Sequence, residues 1–114
     1  MTIDRDEWVR QRFEGELLER VRAVVTPELV VEHAADPVGR HSADLQQVLG
    51  FFRRGPVPGK YVVVADEPFA RYRIGVLSGE RGAPISVLDT EYPDETSVLH
   101  AIFLHRLHDI GVRT

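Results

Sequence analysis

The sequence predicts an α+β domain, and three observations carry that expectation. Apolar residues in the first half recur every three or four positions, β-branched runs alternate with tight turns in the second half, and the last stretch returns to the helical period. The expected architecture is a set of N-terminal helices, then a three-stranded antiparallel meander, then a C-terminal helix packed on the sheet. At 114 residues the chain makes a single domain with a core that needs no metal or disulfide. We divide it into a helical arm over 1–28 and an α+β unit over 29–114.

The first helix is expected from about Asp4 to Thr26. Val9, Phe13, Leu17, Val21 and Val24 form its apolar face, and Arg10, Arg12, Glu16, Glu19, Arg20 and Arg22 occupy much of the other side. Gly15 weakens it by about 1 kcal/mol relative to alanine and is a place where it can break. Trp8 is costly to leave in water. Thr26-Pro27-Glu28 has the chemistry of a new start, with a capping hydroxyl, a proline whose missing N–H is not needed and an acid in the first turn. This short helix carries Leu29, Val30, Val31 and His33 and stops before Asp36-Pro37, because a residue ahead of proline disfavours helical geometry. Val38-Gly39-Arg40-His41 is a loop. Ser42 caps a third helix to about Arg54, burying Leu45, Val48, Leu49 and Phe52, and Gly55-Pro56-Val57-Pro58-Gly59 ends it.

From Lys60 the pattern is that of strands: Tyr61 to Ala65, a turn at Asp66-Glu67-Pro68, Tyr72 to Leu77, a turn over Ser78 to Gly82, and Pro84 to about Asp89 with Ile85, Val87 and Leu88. Connections this short favour antiparallel pairing. Asp94 caps the last helix, which runs to about Ile110 with Val98, Leu99, Ile102, Phe103, Leu107 and Ile110 as its stripe and Gly111 as its stop. One long helix covers one face of a three-stranded sheet, so an open face or edge is left for a partner.

Composition excludes several classes. With 43% hydrophobic and 28% charged residues the chain is not disordered, and without cysteine it has no disulfide, thiol nucleophile or thiolate metal site. The cysteine-free composition and the charged opening fit a cytoplasmic protein. No run approaches the roughly 20 apolar residues of a membrane helix. A net charge of −4 argues against nucleic acid, and Arg53-Arg54 beside Phe51-Phe52 is too slight a basic patch to reverse that.

Chemistry-bearing patterns are sparse. His105 and His108 lie about 60° apart on the last helix and can share a face, with His100 one side over, but no His-Glu-x-x-His spacing accompanies them. His33 to His41 is a dense polar stretch in which a His–Asp pair can orient a base. Ser42, the nearest hydroxyl, is better used as a cap, and the ordinary expectation is that Asp36 and His33 hold the loop by hydrogen bonds. The pairs Asp66-Glu67 and Asp94-Glu95 fall in a turn and a helix start. Gly55 to Lys60 lacks the phosphate-loop pattern. We assign no catalytic residue, no cofactor and no metal ligand from the sequence.

Three stretches in order carry a resemblance. They are Val31-Glu32-His33-Ala34-Ala35-Asp36-Pro37-Val38-Gly39; then Leu45-Gln46-Gln47-Val48, Phe52-Arg53-Arg54 and Gly59-Lys60-Tyr61, continuing to Tyr72-Arg73-Ile74; then His100 to Asp109. With this collinearity the chain resembles the small (alpha) subunit of N,N-dimethylformamidase over about Leu29 to Ile110. The arm before Leu29 and the segment Ser78 to Pro93 depart from the likeness. The resemblance implies a small subunit that accompanies a much larger chain holding the mononuclear iron and the hydrolytic residues, with no catalytic residue to carry over here. It implies a non-catalytic accessory subunit of an amide-hydrolysing complex. The alternatives are a stand-alone interaction module or homo-oligomer without enzymatic activity, and a small enzyme built on the histidines. For a partner surface the candidates are His33, Asp36, Arg40, His41, Arg53 and Arg54, since arginine is enriched at interfaces.

Overall fold

A computed structural model describes residues 5–54, 60–78 and 81–113, with the backbone alone over 5–14. Its elements are α1 (Arg5–Val24), α2 (Pro27–Ala35), α3 (Ala43–Arg53), β1 (Lys60–Glu67), β2 (Arg71–Leu77), β3 (Ser86–Val87) and α4 (Glu95–Asp109). The α+β class and the order of elements are as the sequence predicts. α1 runs through Gly15 without a break. The expectations for Trp8, Val9 and Phe13 and for the Gly55–Gly59 breaker lie outside the described side chains and residues.

Each later helix begins at the cap its sequence announces. Thr26 accepts from the Leu29 amide, Ser42 from the Leu45 amide and Asp94 from the Ser97 amide, so each satisfies an amide the first turn would leave unpaired. α4 ends at Ile110, and Gly111 follows with φ +85, a backbone conformation that costs glycine nothing.

The sheet has the order β1-β2-β3, both pairs antiparallel, with Lys60 opposite Leu77 and Gly75 opposite Val87. β1 continues past Ala65 through an irregularity before Glu67, so the turn comes later than the proline alone suggests. β3 is shorter than expected. Only Ser86 and Val87 pair fully, after which the Leu88 amide reaches Ile74 and the chain leaves the sheet, returning at a Tyr72–Tyr92 bridge.

Two apolar clusters hold these layers. Val21, Leu29, Leu45 and Val48 pack with Phe103 and Leu107 of α4. Tyr72 and Ile74 pack with Val98 and Ile102 of the same helix. On the sheet face away from α4, Val62, Val64 and Ile85 close over Gly75. Among the described residues no helix is long and apolar enough to cross a membrane.

A methyl group at Gly75 would meet Ile85 Cγ2 at 2.8 Å, Val64 Cγ2 at 2.9 Å and Val62 Cγ2 at 3.1 Å. These are branches of stiff β-branched side chains. Gly75→Ala is expected to lower stability by roughly 1–3 kcal/mol despite alanine's smaller entropy cost in a strand. Urea unfolding measures this, and an unchanged midpoint would mean the three branches give way freely.

Candidate functional site

α2, the loop after it and α4 bring three histidines together. His33 is the buried polar residue of α2, with 4% of its surface exposed. Its ring lies flat on Phe103, centroids 4.0 Å apart and planes 16° from parallel. Its Nδ1 stands 2.9 Å from His100 Nδ1, so one ring donates and the other accepts. Protonation of both would point two N–H groups at each other. The His41 ring lies nearly parallel to that of His33 with centroids 6.1 Å apart, and its Nε2–H donates to the Asp36 carbonyl at 2.7 Å.

Burial, then the charges of His100 and His41, pull the His33 pKa down to about 4. Burial also lowers that of His100. The loop is fixed from below by Glu32, whose carboxylate accepts from the Ser42 amide at 2.6 Å and from its hydroxyl at 2.7 Å. Those bonds hold the Glu32 pKa down.

A cleft of about 230 Å³ opens beside this cluster, between α3, β1 and α4. His33, Leu49, Tyr61, Ile102 and Phe103 form walls, and Arg53 and Arg106 bring charge to it. Arg106 is half-buried, and burial lowers its pKa. It donates to the Tyr61 carbonyl at 3.4 Å and lies over the Phe52 ring at 5.9 Å. The Tyr61 hydroxyl donates to Asp109 at 2.5 Å, and burial followed by that carboxylate pushes its pKa up to about 12.

The family described as the N,N-dimethylformamidase alpha subunit matches residues 8–114. The chain belongs to that family. An N,N-dimethylformamidase alpha subunit from an Alcaligenes species is 38% identical over 87 residues, covering 74% of this chain and 65% of the relative. One from Paracoccus aminophilus is 32% identical over 87 residues, covering 74% and 61%. The chain therefore spans less than two thirds of the length of these curated relatives. The family match begins within α1 and takes in most of it, although the sequence reading set that arm apart from the likeness. Val21, fully buried in the cluster that also holds Leu107, ties the same helix into the core.

The three stretches that carry the alpha-subunit likeness are the ones that meet at this site. The first supplies His33, the second Arg53 and Tyr61, the third His100, Phe103 and Arg106. Of the six residues expected at a partner surface, Asp36, Arg40, Arg53 and Arg54 are exposed and His41 is partly so. His33 is the exception, because its ring is enclosed by Phe103 and His100. Asp36 does hold the loop, accepting from the Val38 amide at 3.4 Å and through its carbonyl from His41. His33 instead spends its Nδ1 on α4. His105 is half-buried with its ring 5.4 Å from that of Tyr61, while His108 is exposed. Among the described residues, no three His, Asp or Glu side chains are grouped to hold a metal. The cleft and the His33–His100 pair were missed from the sequence, since 67 residues separate the two rings. A usable signal was His33 itself, the polar residue on an otherwise apolar helix face.

The histidine pair has a pH consequence. His33 keeps about 4 in the folded chain against 6.5 when unfolded, so the unfolded state binds more protons between those values. Its contribution is complete above pH 6.5 and is lost as pH falls toward 4. Unfolding free energy is expected to drop by about 2–3 kcal/mol between pH 7.5 and 4.5 through this group. His33→Phe, which preserves stacking on Phe103, is expected to flatten that slope in urea titrations. An equal slope in the variant would assign the loss to other groups.

Proposed function

We propose that this chain is a non-catalytic accessory subunit of an amide-hydrolysing complex that resembles N,N-dimethylformamidase, assembled with a larger chain that carries the hydrolytic site. The observation that carries the proposal is the family match over residues 8–114, together with two relatives both named as alpha subunits. The chemistry of the described side chains supports it. Ser42, the hydroxyl nearest the histidines, accepts from the Leu45 amide as a helix cap and donates to Glu32. Glu32 has its pKa held down by those bonds, which makes it a weak base. His33 Nδ1 and His100 Nδ1 meet each other, and His41 Nε2 donates to the Asp36 carbonyl, so these three nitrogens are spent on structure. Asp36, Arg40, His41, Arg53 and Arg54 are the proposed contact surface for the larger chain, and the absence of cysteine supports a cytoplasmic setting.

Affinity capture of the tagged chain from its host, followed by mass spectrometry and an assay with N,N-dimethylformamide, tests the assembly. The expected result is a stoichiometric larger chain and amide hydrolysis by the captured complex, with no hydrolysis by the isolated small chain. Recovery of self-associated small chain alone, or activity in that chain by itself, would overturn the proposal. Joint reversal of Arg53 and Arg54 to glutamate is expected to weaken capture about tenfold or more. Unchanged capture would remove that pair from the interface.

A further inference from the structure

We infer that the cleft between α3, β1 and α4 is a binding site for a carboxylate carried on a small apolar body. Its volume of about 230 Å³ lies below that of a drug-sized site and suits a ligand of a few heavy atoms. Leu49, Val63, Leu99, Ile102 and Phe103 give it apolar walls, while Arg53 stands exposed and Arg106 half-buried at its lining.

Arg106 is the decisive group. A guanidinium stays charged at any accessible pH, so its partial burial carries a desolvation cost that an ion pair would offset. Among the described residues the ion pairs are Arg22–Glu19, Arg71–Glu67 and Arg73–Asp66, and none includes Arg106 or Arg53. The carboxylate on the same helix end, Asp109, accepts the Tyr61 hydroxyl. What Arg106 has is a long contact to one carbonyl and the face of Phe52, so the other donors of its planar fork are open to solvent and to a ligand. A carboxylate matches that fork, and Arg53 adds a second positive charge at the same opening. A phosphate dianion would meet the same two cations but could make no use of the apolar walls of Leu49, Ile102 and Phe103.

The test is a titration of the full chain, followed by amide NMR, with benzoate, neutral benzamide and inorganic phosphate. Benzoate is expected to shift the amides of Tyr61, Ile102, Phe103 and Arg106 saturably, with benzamide and phosphate at least about tenfold weaker. Arg106→Gln is expected to weaken benzoate by about tenfold. Because that change also removes packing on Phe52, Arg53→Ala at an exposed position provides a second variant, expected to weaken binding about threefold with the fold intact. Equal affinity for benzoate and benzamide, or no saturable shift, would overturn the inference. A repeat on the chain assembled with its larger partner tests whether the site serves a free small acid in the complex. Retained binding supports that use, and loss on assembly, where the larger chain covers Arg53 and the cleft, would overturn it. Binding by the isolated chain stands apart from the proposed assembly, so either can fail without the other.

Discussion

Helix α4 has to serve two cores, and the rest of the structure depends on how it does so. Ile102 and Phe103 are neighbours in sequence and so point about 100° apart around the helix. Ile102 joins Val98 against the sheet, while Phe103 joins Leu107 against α1, α2 and α3. The two layers therefore meet on opposite shoulders of one helix and share no common interior. Truncation of Phe103 would affect the helical layer first, but the sheet would also lose the helix that covers its inner face.

The seam left by that arrangement contains the polar groups. His33 lies on Phe103 at the junction, where a charged ring would be unsolvated and would face His100, so the neutral form is held. On the sheet side, Tyr61 uses its hydroxyl and its carbonyl to fasten β1 to α4, the first through Asp109 and the second through Arg106. These bonds fix the spacing between strand and helix. The same spacing sets how far Arg106 stands from the β1 wall of the cleft.

Local chemistry was legible in the sequence, and distant chemistry was not. The starts of α2, α3 and α4 follow from Thr26, Ser42 and Asp94 because capping is a contact between residues three apart. Gly111 announced its own positive φ. β3 was overextended because Ile85, Val87 and Leu88 look alike by strand propensity. Whether each one pairs depends on where β2 presents free carbonyls. His33 was read as a loop-holding group since Asp36 is close in the chain, whereas its real partner lies on α4. The cleft drew on α3, β1 and α4 together, and no pattern within any one of them encodes it.

Exposure by itself is a poor guide to what this chain contacts. Val31 on α2, Val38 in the loop after it, Phe69 in the β1–β2 turn and Ile85 and Val87 at β3 are all open to solvent, and exposed apolar residues of this kind are ordinary on protein surfaces. Phe69 is the most exposed of them, at 93%, and has φ +66. That backbone is accounted for within the turn, where the Phe69 amide donates to the Tyr72 hydroxyl at 2.9 Å and the Ala70 amide to the Glu67 carbonyl at 3.0 Å. A strained residue whose hydrogen bonds are satisfied locally requires no partner to explain it. Arg106 differs in kind, because it brings a half-buried charge and a planar set of donors to the lining of a cleft. A group in that position selects a chemistry for its partner, where an exposed phenylalanine selects none.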